Sequence, residues 1–227
     1  MSTTPEGQDF VGIVGSVYEL VTDSVSGIDP RDFLRTTRAE AWSVQDLLFH
    51  LLLDAQRALM TFASPTRASA DVDAVTYWLP IRPDKGDRGV AHARFVRVAS
   101  SAYSEPSQLV GHWHDTSTAP VRAAAATDAG GRFETPGHVL ELAYLLSTLV
   151  VEATIHYVDL TVNLSAVQPP PEALRIVREV LDGLLGQPVA VERSDPEYAL
   201  KGTGRLGLTE GDKVSLGDQA RRLPLLG

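Results

Sequence analysis

The sequence predicts a mainly α protein: a four-helix bundle over residues 1–167, followed by a small α+β appendage over residues 168–227. Three observations carry that prediction. Long segments repeat apolar residues at three- and four-residue spacing, the period of a helix with one buried face. Several of these segments begin or end at residues that cap or break helices. The run Gln168-Pro169-Pro170-Pro171 then reads as a stiff linker ahead of shorter, more mixed elements.

In chain order, Phe10, Ile13, Val14, Val17, Tyr18, Leu20 and Val21 predict a helix over about Gln8 to Val25, ended by Ser26-Gly27 and Asp29-Pro30. Ser43 is an N-cap, with Asp46 completing a capping-box-like start, and the helix it opens should reach about Phe62. Ala63 to Gly89 is a long loop around one apolar island, Tyr77 to Ile81, and a loop of that length is usually functional or mobile. From Val90 the helical period returns through Ala93, Val96, Ala99 and Tyr103. Pro106 suits the start of a further helix, which Pro120 should kink or re-start.

Asp128 to Arg132 reads as a turn. Thr135-Pro136, an N-cap residue followed by proline, is expected to open a helix that is apolar nearly all round and so the most buried of the chain. Past the prolines, Glu172 to Leu185 is amphipathic and ends at Gly186. Pro188 to Glu192 and Tyr198 to Lys201 look strand-like, Gly202 to Arg205 is a turn, and Thr209 to Leu216 is a short helix.

The chain has 227 residues, enough to bury a core without staples. Its 20 basic and 29 acidic side chains give a formal charge of −9, which argues against nucleic acid as a partner. With no cysteine there is no disulfide, thiolate ligand or cysteine nucleophile, so any reacting sulfur must be brought in. The first residues lack the pattern of a secretory signal, and the apolar stretches around Leu47 to Leu53 and Val139 to Val151 fall short of the ~20 residues that span a bilayer. A cytoplasmic protein without a membrane partner is the expectation.

The chemistry-bearing pattern is Glu152, His156 and Asp159 at i, i+4 and i+7, on one face of the apolar helix with Cβ atoms about 6 Å apart. A bundle can bring His50 from the second helix to face Glu152 and His156. Two imidazoles and a carboxylate suit zinc with an open position, or another divalent metal such as nickel or iron(II). Asp159 could orient His156 from behind, and Asp46 and Asp54 flank His50 at i−4 and i+4 in similar positions.

Spacing alone also leaves open that each histidine is a satisfied core residue. Against that stands Glu152, since a carboxylate on so apolar a helix needs something to neutralise it. His92, His112, His114 and His138 compete weakly as ligands. Arg57 and Arg205 are candidates to contact an anionic substrate, with ordinary surface arginine as the alternative. There is no dinucleotide or phosphate loop and no serine-hydrolase elbow.

Two segments carry a family resemblance. Trp42-Ser43-Val44-Gln45-Asp46-Leu47-Leu48-Phe49-His50-Leu51 resembles a W-[ST]-V-x-D-L-x-x-H-L motif, and Glu152-Ala153-Thr154-Ile155-His156-Tyr157-Val158-Asp159 resembles E-x-x-x-H-x-x-D. Both are features of the mycothiol-dependent maleylpyruvate isomerases, within the DinB-like metalloprotein superfamily, and the resemblance covers about residues 8 to 165.

It implies a DinB-like bundle in which His50, Glu152 and His156 bind a divalent metal, usually zinc. It implies mycothiol as co-substrate and a small-molecule electrophile as its partner, with a homodimer left open. A metal-favoured thiolate would add to the electrophile, giving cis-trans isomerisation or an S-conjugate. Non-catalytic metal or ligand binding and metal-assisted hydrolysis are the alternatives. The isomerase proper has a larger α/β C-terminal domain, whereas only about 55 residues follow the prolines here. Metal binding therefore carries over better than substrate.

Overall fold

The computed structural model describes residues 9–80, 87–189 and 194–227. The fold is mainly α, as expected. The first helix, α1 (Phe10–Val25), is capped by Asp9, whose carboxylate accepts from the Gly12 amide. It buries Phe10, Val14, Val17, Tyr18, Val21 and Val25 along one face. Helix α2 (Val44–Phe62) begins with the full capping box: the Ser43 side chain accepts from the Asp46 amide, and Asp46 accepts from the Ser43 amide.

Helix α3 (Asp87–Ser100) lies against α2 and starts before Val90. Helix α4 (Pro106–Ala125) runs unbroken through Pro120. A proline removes one helical hydrogen bond and crowds the carbonyl four residues back. Here its ring is buried, and the helix continues without a re-start.

Thr135-Pro136 does not open a helix. It belongs to an antiparallel hairpin of β1 (Arg132–Thr135) and β2 (His138–Glu141), with Phe133 opposite Leu140 and Thr135 opposite His138. The reason is the next residue. Pro136 has a restricted φ and Gly137 adopts φ +93°, which favours a tight reversal at Pro-Gly over helix entry. Helix α5 (Leu142–Leu160) starts only after the hairpin and buries more residues than any other described helix.

Helices α1, α4, α2 and α5 form the bundle: α4 touches α1 and α2, and α5 touches the same two from the other side. Leu47, Leu48, Leu52, Trp113 and Val150 are fully buried in it. The stretch Leu142–Asn163 is long and apolar enough by composition to cross a membrane, beyond what the sequence reading allowed. Its apolar surface faces the bundle instead, with 67% of the window buried inside the protein.

Beyond the prolines, α6 (Pro171–Leu185) packs on α5 and α1 and shares their core. The strand expected at Tyr198 to Lys201 is a helix, α7 (Asp195–Gly202), with proline in its first turn and Asp195 and Glu197 at its positive end. Residues 190–192 of the other expected strand, Pro188 to Glu192, lie outside the described residues, as does Ile81 of the apolar island. Helix α8 (Glu210–Leu216) is capped by Thr209, and buried Lys201 bonds Asp212 at 2.6 Å, tying α7 to α8.

Residues 63–80 are irregular and run beside the hairpin. Thr66 donates to the Arg132 carbonyl, Glu134 to that of Ser64, and Asp71 to that of Val139, all through main-chain amides. Near the end of this segment a 3-10 turn, Thr76–Trp78, buries Trp78.

Ser43→Ala should lower unfolding free energy by about 1 kcal/mol, measured by chemical denaturation, with no change in the metal content of the folded protein.

Candidate metal centre

His50 comes from the second turn of α2, and Glu152 and His156 come from successive turns of α5, where the two helices face each other. The i, i+4 spacing stacks Glu152 over His156. Glu152 Oε1 lies 3.2 Å from His50 Nε2 and 3.3 Å from His156 Nε2, and the three donor atoms lie within 4.8 Å of one another. A tetrahedral zinc with bonds of about 2.0–2.1 Å holds its donors about 3.4 Å apart. The triad therefore fits a divalent ion with small adjustments.

A second observation supports the fit. Asp54, buried on α2, places Oδ2 3.2 Å from His50 Nε2, yet that oxygen has no partner in hydrogen-bond geometry. Burial pushes the Asp54 carboxyl up to about 6, although His50 opposes the shift. Glu152 stays well below the usual carboxylate range: burial would raise it, but His156 and His50 win. Two carboxylates thus converge on one spot, and a cation there would relieve both.

His156 is held from behind. Its Nδ1 donates to Asp159 Oδ2 at 3.2 Å, which directs Nε2 toward Glu152. Asp159 is completely buried and gripped by Arg205, with Nε 3.1 Å from Oδ1 and Nη2 2.9 Å from Oδ2. Arg205 Nη1 also donates to the Thr203 carbonyl. Burial lowers the affinity of His156 for its proton, but Glu152 and then Asp159 outweigh it and raise the imidazole to about 10.

The residues expected around His50 divide. Asp54 is beside it, while Asp46 is not: its oxygens accept from the Ser43 amide and hydroxyl and from the Ser100 hydroxyl, which fixes the helix start. The outer partner of His50 is His92 on α3, with Nε2 3.4 Å from His50 Nδ1. Trp42 covers both rings, 4.8 Å from the centroid of His50 and 5.8 Å from that of His92.

Sequence reasoning gave His92 little weight, because only the packing of α3 on α2 brings it there. Its sole advance signal is a histidine on the face that carries Val96 and Ala99. His112, His114 and His138 sit elsewhere, with Tyr103, Asp115 and Asp71 respectively.

A cavity of about 340 Å³ opens beside Glu152 and His156. Arg57, Arg205, Tyr77, Trp78 and Leu226 contribute to its lining, so the segment after the prolines supplies part of the wall. Arg57 is half-exposed and donates to Asp54 Oδ1 at 2.8 Å.

Removing Arg205 leaves Asp159 buried without its cation. Arg205→Ala should cost about 3–5 kcal/mol in denaturant unfolding and weaken metal affinity by about 10–100-fold. Arg205→Lys should recover only part of each, because a point charge cannot make the two-armed contact.

The pH dependence follows from His156. Its folded pKa lies above the ordinary 6.5, so the ion-paired imidazolium stabilises the metal-free fold fully below about 6.5 and loses that effect as pH rises through about 10. An ion must displace the Nε2 proton. Metal affinity should therefore climb by up to about tenfold per pH unit between about 7 and 10, read by competition with a chelating dye.

The comparisons with known proteins bear on the fold and the family. Two solved structures share the fold: a mycothiol-dependent maleylpyruvate isomerase, with TM-score 0.54 and 16% identity over 82% of this chain and 72% of that one, and a histidine-to-alanine mutant of such an isomerase, with TM-score 0.54 and 15% identity over the same shares. No curated protein matches the sequence. The family model described as the mycothiol maleylpyruvate isomerase N-terminal domain matches residues 16–161. That span holds all three residues of the triad, and the chain belongs to the mycothiol maleylpyruvate isomerase N-terminal domain family.

Proposed function

We propose that the chain is a metal-dependent enzyme that joins a low-molecular-weight thiol of the mycothiol type to a small electrophile, as an S-transferase or a cis-trans isomerase. The observation that carries this reading is the His50–Glu152–His156 triad, two of whose members, Glu152 and His156, line a cavity, in a chain of this family. A divalent ion, with zinc the best match to two imidazoles and a carboxylate, would supply a Lewis acid that favours thiolate over thiol near neutral pH.

The residues divide the remaining work. His50 and His156 each present Nε2, oriented by His92 and Asp159 through the opposite ring nitrogen. Trp42 packs beside both imidazoles, its ring centroid 4.8 Å from that of His50 and 6.3 Å from that of His156. Asp54 Oδ2 is an acceptor without a partner beside the triad, placed to orient a protonated group that enters there. The chain has no cysteine, so the reacting sulfur comes with the thiol.

The test is thiol consumption by the zinc-loaded protein with mycothiol and a panel of electrophiles. A His50→Ala/His156→Ala double variant should lose more than the about 10–100-fold that removing an outer partner costs. Equal consumption by the folded double variant would overturn the proposal, and turnover without any thiol would point to hydrolysis instead.

A further inference from the structure

The triad leaves one buried carboxylate oxygen unanswered. The Asp54 side chain is 9% exposed, and among the described residues its Oδ2 is the one buried carboxylate oxygen without a hydrogen-bond partner. Arg57 holds the other oxygen, Oδ1, at 2.8 Å. What Oδ2 faces is His50 Nε2, at 3.2 Å, and the same nitrogen faces Glu152 Oε1, also at 3.2 Å. One imidazole nitrogen carries at most one proton and cannot serve two carboxylates at once. An ion in front of it can.

The spacing is that of a coordination shell. Asp54 Oδ2 to His50 Nε2, His50 Nε2 to Glu152 Oε1 and Glu152 Oε1 to His156 Nε2 measure 3.2, 3.2 and 3.3 Å, against about 3.4 Å between donors on a tetrahedral zinc. Each helix offers one imidazole and one carboxylate a turn apart: His50 with Asp54 on α2, His156 with Glu152 on α5. Among the described residues, the donors already within 4.8 Å of one another are those of the triad, so Asp54 reaches the ion by a swing of its carboxylate. Arg57 is free to follow that swing, its side chain being 52% exposed.

We propose that Asp54 is a fourth ligand to the ion, exchangeable for the sulfur of an incoming thiol; the exchange, though not the ligation, rests on the thiol-dependent reading above. Charge balances on both sides of it. With Asp54 in place, the two carboxylates neutralise a divalent ion between neutral imidazoles. In the exchange the bond from the ion to Asp54 breaks, a bond from the ion to sulfur forms, and the thiol proton leaves to water, with no oxidant or reductant. Glu152 and the thiolate then neutralise the ion, and Asp54 is left paired with Arg57.

Cobalt(II) in place of zinc reports the shell through its visible absorption. In the wild-type full chain without thiol, an ion held by four protein ligands carries no water, so the spectrum should stay constant across neutral pH. In Asp54→Ala a water takes the vacated position, and its ionisation at about pH 7 should shift the bands. A wild-type spectrum that titrates across neutral pH overturns the proposal, whether or not the variant folds. Zinc affinity, read by competition with a chelating dye, should fall more than about 100-fold in Asp54→Ala, beyond what loss of an outer partner costs. A smaller loss makes Asp54 such an outer partner and overturns its ligation.

Mycothiol added to the cobalt-loaded protein tests the exchange. Sulfur on the ion gives a charge-transfer band in the near ultraviolet. In Asp54→Ala the band should form at about tenfold lower mycothiol or less, because the thiol displaces water instead of a tethered carboxylate. Equal mycothiol dependence in the two proteins overturns the exchange. A band in neither removes the thiol reading and leaves the four-ligand site standing.

Discussion

Three carboxylates inside a helical bundle, Asp54, Glu152 and Asp159, are the constraint on which the rest of the structure turns. A buried carboxylate is tolerated only when hydrogen bonds and opposite charge replace water. Asp159 has a full complement in His156 and the two-armed Arg205. Asp54 has Arg57 on one oxygen and nothing in bonding geometry on the other, and Glu152 has two imidazoles. The gradient in compensation from Asp159 to Glu152 and Asp54 locates the site: complete behind His156, incomplete in front of it.

The segment after the prolines is part of that arrangement. Arg205 follows α7, which rests on α6, which rests on α5. The arginine that compensates Asp159 is thus delivered by a chain of packed helices. Loss of any link would be felt at His156, although neither α6 nor α7 supplies one of the three ligands.

Much of this was readable in the residues. Ser43 and Asp46 announced the start of α2, and the E-x-x-x-H spacing on an apolar helix announced two donors on one face. Both signals are local, set by backbone hydrogen bonding and helical period. The misreadings have local causes too: Thr135-Pro136 resembles a helix entry until Gly137 is considered, and Tyr198 to Lys201 alternates like a strand although Pro196 and the acids around it favour a helix start.

Other features could not be read in advance because they are tertiary. His92 meets His50 only through the packing of α3, and Arg205 meets Asp159 rather than open solvent only because α7 is docked. Asp46 and Asp54 are equally spaced about His50; the capping pattern already claimed Asp46, and only the structure shows that Asp54 belongs to the cavity.

The stitching of residues 63–80 to the hairpin has a consequence for how such a protein can diversify. Thr66, Asp71 and Glu134 join the two segments through main-chain amides, and Thr135, Pro136, Tyr77 and Trp78 from the same region reach the cavity. Amide-to-carbonyl contacts are indifferent to most side-chain replacements. The mouth of the cavity can therefore change its chemical character by substitution while its backbone path, and the donors on the opposite helices, stay where they are. Selectivity and metal holding are separable traits in this architecture, carried by different parts of the chain and open to change at different rates.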